Sequence, residues 1–117
     1  MVARRQSRLL KTFCVAGCFL VMLTVLASVP AWAHKVNLFA YAEGGVVYVE
    51  SYFSDGSPVV QGSLRAMDAK GAQIFEGKTD QRGKAQFQAP PEKQDLTIEL
   101  NASMGHRAVF TLKKTDW

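Results

Sequence analysis

The chain has 117 residues, enough for one domain at most, with 14 basic and 10 acidic side chains and a formal net charge of +4. Four of the basic residues, Arg4, Arg5, Arg8 and Lys11, crowd the start of the chain with no acid among them, so the remainder carries ten of each sign. A neutral remainder offers no basic footprint for nucleic acid, and no nucleic-acid partner is expected.

That basic cluster opens a leader. Residues 12–29 are almost unbroken apolar sequence, and Pro30-Ala31-Trp32-Ala33 puts small residues at the −3 and −1 positions before His34. A charged start, an apolar middle and an A-x-A end are the parts of a secretory signal. We therefore expect an apolar signal helix over 1–33, cut so that the mature protein begins at His34 in the periplasm or another extracytoplasmic space. The apolar run is also just long enough to span a membrane, which leaves an uncleaved anchor as the alternative. Val15-Ala16-Gly17-Cys18 resembles a lipobox but has too much apolar sequence after it. Both cysteines, Cys14 and Cys18, fall in the leader, so the mature domain has no disulfide and no thiolate ligand. A cysteine-free exported domain fits a bacterial periplasm.

Beyond the leader, strand alternation replaces helical periodicity. Val36, Leu38 and Ala40 alternate with Asn37, Phe39 and Tyr41; Glu43-Gly44-Gly45 breaks the run, and residues 46–53 resume it. Two such runs joined by a Gly-Gly turn predict a β-hairpin. Ser54-Asp55-Gly56-Ser57-Pro58 is a dense turn cluster. A third strand is predicted over 63–69, a fourth over 72–77 after Asp68-Ala69-Lys70-Gly71, and a fifth over 85–89 after Asp80-Gln81-Arg82-Gly83. Pro90-Pro91 stops the fifth; a sixth covers 95–100 and a seventh 107–113. Seven short strands with a turn signal between them predict an all-β, seven-stranded antiparallel β-sandwich over 34–117. The expected inward set is Val47, Val49, Leu64, Ile74, Phe87, Leu96, Ile98, Leu100, Val109 and Leu112.

Little in this domain suggests catalysis. No serine sits in a nucleophile elbow, no glycine-rich phosphate loop is present, and the carboxylates scatter over turns and outward faces. A non-enzymatic protein is expected. The two histidines stand out instead. Cleavage before His34 would give that residue a free α-amine beside its imidazole, two nitrogen donors suited to Cu²⁺, Ni²⁺, Co²⁺ or Zn²⁺. His106, in Ser103-Met104-Gly105-His106, follows a glycine that lets the loop bend, with the Met104 thioether nearby. The hairpin places His34 near Asp55; whether the Met104 and His106 loop shares that end depends on strand order. His34, His106, Asp55 and Met104 are thus the candidate metal ligands. The rival is a metal-free secreted module binding a protein partner through an exposed edge, such as residues 72–77, or a carbohydrate through the aromatic stripe Phe39, Tyr41, Tyr48, Tyr52 and Phe53.

Four stretches together carry a resemblance: His34-Lys35-Val36 after the signal, Tyr52-Phe53-Ser54-Asp55-Gly56-Ser57-Pro58, Thr79-Asp80-Gln81-Arg82-Gly83-Lys84, and Asn101-Ala102-Ser103-Met104-Gly105-His106-Arg107-Ala108. With them the mature domain resembles the small extracytoplasmic accessory component (NikL type, CbiL-like) of nickel and cobalt energy-coupling-factor transporters. Its Asp80 to Gly83 turn also recurs in carboxypeptidase-regulatory-like sandwiches. The resemblance implies a prealbumin-like sandwich, Ni²⁺ or Co²⁺ as the ion handled, and membrane subunits of such a transporter as partners.

Overall fold

The computed structural model describes residues 34–117, and Cys14 from the segment before them; the signal helix expected over 1–33, with Cys18, lies outside the described residues. Residues 34–117 are all-β. The strands are β1 (Val36–Glu43), β2 (Val46–Phe53), β3 (Ser63–Met67), β4 (Gln73–Lys78), β5 (Lys84–Gln88), β6 (Leu96–Asn101) and β7 (Arg107–Leu112). They form two antiparallel sheets, one of three strands in the order β1-β2-β5 and one of four in the order β4-β3-β6-β7.

The turns explain why the strands end where they do. Gly44 and Gly45 both take positive φ, +59° and +79°, which a two-residue hairpin needs to match the strands' twist. Three further turns share one plan. Phe53 to Ser57, Asp68 to Ala72 and Asp80 to Lys84 each close with the first amide donating to the fifth carbonyl, at 2.8 Å in all three. In each the fourth residue is a glycine in the left-handed region: Gly56, Gly71 and Gly83. An aspartate secures each one. Asp68 Oδ1 accepts the Lys70 and Ala72 amides, Asp80 Oδ1 accepts those of Arg82 and Lys84, and Asp55 Oδ1 accepts the Ser57 amide. The short polar side chain stands in for a backbone acceptor, which is why Asp and Gly recur at these corners.

One buried cluster draws on both sheets: Val36, Ala40, Val47, Val49 and Phe87 from the first, and Leu64, Ala66, Leu96, Ile98, Leu100 and Leu112 from the second. Both open sides of the stack are closed by an aromatic pair. Phe75 of β4 stacks on Phe87 of β5 with centroids 4.7 Å apart, and Phe110 of β7 meets Phe39 of β1 edge to face at 5.6 Å. Such pairs add about 0.5–1.5 kcal/mol beyond the area they bury.

Two expected core residues point outward. Val109 is 55% exposed and Ile74 is 39% exposed. In β7 the register opposes Ala108 to Leu100, Phe110 to Ile98 and Leu112 to Leu96, so Val109, opposite Glu99, lies on the outer face. In β4 the register shifts between Ala66 and Met67, which pairs Phe75 with buried Ala66 and leaves Ile74 outside the ladder. Phe75 fills the core position in its place.

Candidate functional site

His34 lies two residues before β1, and the β1–β2 register decides its neighbours. Val36 pairs with Phe53, and the Ser54 amide donates to the Lys35 carbonyl at 2.9 Å, extending the ladder past both strand ends. One more step in that register sets His34 against Asp55. The Ser57 hydroxyl and amide, and after them the charge of His34, hold the Asp55 carboxyl below its ordinary value. Asp55 is exposed, and its Oδ1 is committed to Ser57 at 2.9 Å from the amide and 2.6 Å from the hydroxyl.

His106 arrives from the other sheet. Strand β6 ends at Asn101, the chain makes a 3-10 turn over Ser103–Gly105, and the Ala102 amide donates to the His106 carbonyl at 2.8 Å before β7 begins. Because β1 and β7 edge the same side of the stack, this loop reaches the end of the domain where His34 lies. The two imidazoles meet one phenyl ring. His34 packs against Phe53 with centroids 6.4 Å apart and His106 against the same ring at 6.2 Å, both edge to face. Phe53 is half-buried against the core on the inward face of β2 and supplies a fixed apolar wall to both histidines.

The histidines also line one open groove between β1 and β7, together with Lys35, Asn37, Arg107 and Val109. Met104 is not among its lining residues. Its side chain is 93% exposed, and its backbone sits in the left-handed region at φ +62°. Of the four expected ligands, then, the fold gathers His34 and His106 in the groove, keeps Asp55 beside His34 as a turn former, and leaves Met104 in solvent. Among the described residues no three histidine, cysteine, aspartate or glutamate side chains gather closely enough to hold an ion alone. The imidazoles that line the groove are those of His34 and His106.

The groove's cationic walls, and Phe53 as the ring shared by both histidines rather than a member of an aromatic stripe, emerge only in the fold. That Phe53 faces inward was legible from strand parity, since it shares the inward phase of Val47, Val49 and buried Ser51. Lys35 and Arg107 each adjoin a candidate histidine in sequence but gave no signal of their own. Arg107 is one of two guanidinium groups on a single carboxylate: its Nη2 stands 2.8 Å from Glu99 Oε2, and Arg65 Nη2 lies 2.6 Å from the same oxygen. Those two arginines, Arg65 first, hold the Glu99 carboxyl below its ordinary value.

The aromatic stripe divides between two faces. Phe39, Tyr41 and Tyr52 are exposed, with Tyr41 stacked on half-buried Tyr48 at 5.2 Å, while Phe53 turns inward to the histidines. Among known proteins, no family model, curated protein or solved structure matches this chain, so the groove's own residues carry the functional reading.

Proposed function

We propose that the mature protein is a non-enzymatic, extracytoplasmic component of a nickel or cobalt uptake system, which binds a divalent ion and presents it to membrane transporter subunits. The ion is cargo, held by the imidazole and α-amine of His34 and the imidazole of His106. The two sheets are then a prealbumin-like sandwich that brings both ends of the site together. The observation that supports this most is that the chain's two histidines, 72 positions apart in sequence, share one groove and one supporting ring, Phe53. Imidazole and amine nitrogens suit Ni²⁺ and Co²⁺. The amine and ring nitrogen of one residue are already held together by covalent bonds, so little ordering entropy is lost on binding.

The test begins with mass spectrometry of the exported protein, which should start at His34. Titration of Ni²⁺ into that protein, and into a version left with one extra residue before His34, should show the extension weakening binding roughly ten- to a hundredfold, about 1.4–2.8 kcal/mol. His106→Ala should weaken it comparably. Equal affinities in all three proteins would remove the histidine site. Uptake unharmed by His106→Ala but abolished by Ile74→Pro would favour a metal-free module docking through the exposed edge strand β4.

A further inference from the structure

We propose that the groove takes its metal as a chelate with a small polycarboxylate, rather than as the bare aquated ion; this inference rests on the nickel or cobalt reading above. Three observations point to it. The donor set is incomplete, since the groove supplies two histidines and no three-residue metal cluster forms among the described residues. The remaining coordination positions on the ion must be filled by something the chain does not provide. A carboxylate chelator fills them, and the histidine nitrogens bind by displacing water from the ion while the carboxylates stay on the metal.

The second observation is the sign of the walls. Besides the histidines, the charged residues lining the groove are Lys35 and Arg107, both cationic. Asp55, opposite His34, and Glu99, shared between Arg107 and Arg65, stand outside the lining. Fixed cations repel a bare divalent ion and attract a complex whose carboxylates outnumber its metal charge. Arginine adds geometry, because the Arg107 guanidinium reaches Glu99 through Nη2 alone and keeps further N–H donors for a second carboxylate.

The third is accessibility. The groove is open, His34 and Lys35 are exposed, and the Arg107 side chain is 54% exposed, so a chelate wider than an ion can enter without rearranging the core. Asn37 adds an amide on the same wall for an unliganded carboxyl or hydroxyl oxygen.

Citrate serves as the probe. Calorimetric titrations of the exported, processed protein would compare Ni²⁺ in a non-coordinating buffer, nickel citrate, and citrate alone. Nickel citrate should bind about tenfold more tightly than free Ni²⁺, an advantage that shrinks as salt is added. Lys35→Gln and Arg107→Gln should each weaken nickel citrate about three- to fivefold while leaving free Ni²⁺ unchanged or slightly improved. Arg65→Gln removes the other partner of Glu99 without touching the groove and should leave all three affinities alone, which separates a groove effect from a disturbed ion pair. Circular dichroism of each variant confirms the fold. Free Ni²⁺ binding as tightly as its citrate complex would overturn the inference and leave the metal reading standing. Citrate alone binding as well as nickel citrate would overturn the inference, and, if free Ni²⁺ then failed to bind, would make the groove a plain anion site and overturn both. No binding of any probe would also overturn both.

Discussion

Thr79 and Gly83 show how much of this domain hangs on single groups. Thr79 is fully buried; its hydroxyl donates to the Val59 carbonyl and accepts the Gly62 amide at 2.8 Å. Thr79→Val keeps the volume and strips both partners, so it should lower unfolding free energy by about 1–3 kcal/mol, read from the urea midpoint at unchanged slope. Gly83 is buried at φ +72°, and a Cβ there would strike the Ser51 carbonyl oxygen and crowd the Val59 amide. Its own carbonyl accepts both the Ser51 amide and hydroxyl, at 2.9 and 2.8 Å. Gly83→Ala should therefore cost about 3 kcal/mol or more, combining clash with left-handed strain. Gly105, at φ +77° with open space around it, should lose only about 1–2 kcal/mol on the same change. Comparing the two melts isolates the clash from the strain.

Among the elements, β4 and β7 teach the clearest lesson about faces. A regular strand has a period of two, so Val109 and Leu112, three apart, cannot share one face of β7. Parity alone could not say which of them is inside; pairing with β6 decides for Leu112. In β4 the shift near Met67 is set by the partner strand and is invisible in the run Gln73-Ile74-Phe75-Glu76 itself. Truncation tests follow. Ile98→Ala, in a strand buried on its inner side, should destabilise by about 2–5 kcal/mol. Val109→Ala and Ile74→Ala should stay within about 0.5 kcal/mol. Chemical denaturation of the three variants would reverse the facing assigned here if Val109→Ala proved the costly one.

For the whole molecule, four carboxylates, Asp55 and Asp80 exposed and Asp95 and Glu99 partly covered, set the response to acid. Asp80 is held low by the Lys84 and Arg82 amides, Asp95 by the Lys114 amide and Lys113 ammonium, Asp55 by Ser57, and Glu99 by Arg65 and Arg107. A carboxyl lowered in the folded state adds stability that is full above its unfolded value and disappears as pH falls through its folded value. The thermal midpoint should thus hold near neutrality and drop below about pH 4. Asp80→Asn keeps an acceptor for the turn but removes the titrating group, so its melting curve should vary less with pH across that range.

What the sequence determined by itself is local: seven strands, corners of Asp and Gly, a Gly-Gly hairpin, and His34 beside Asp55. These follow from alternation, from positive φ that glycine alone takes freely, and from the register of one short hairpin, all of which act over a few residues. Tertiary structure decided what depends on pairing between distant segments. The β4-β3-β6-β7 order brings His106 to the end where His34 stands, turns Ile74 and Val109 to solvent, and sets Lys35 and Arg107 in the walls of one groove. No local pattern encodes these outcomes, because they arise from how two sheets share one buried core, and that choice belongs to the chain as a whole.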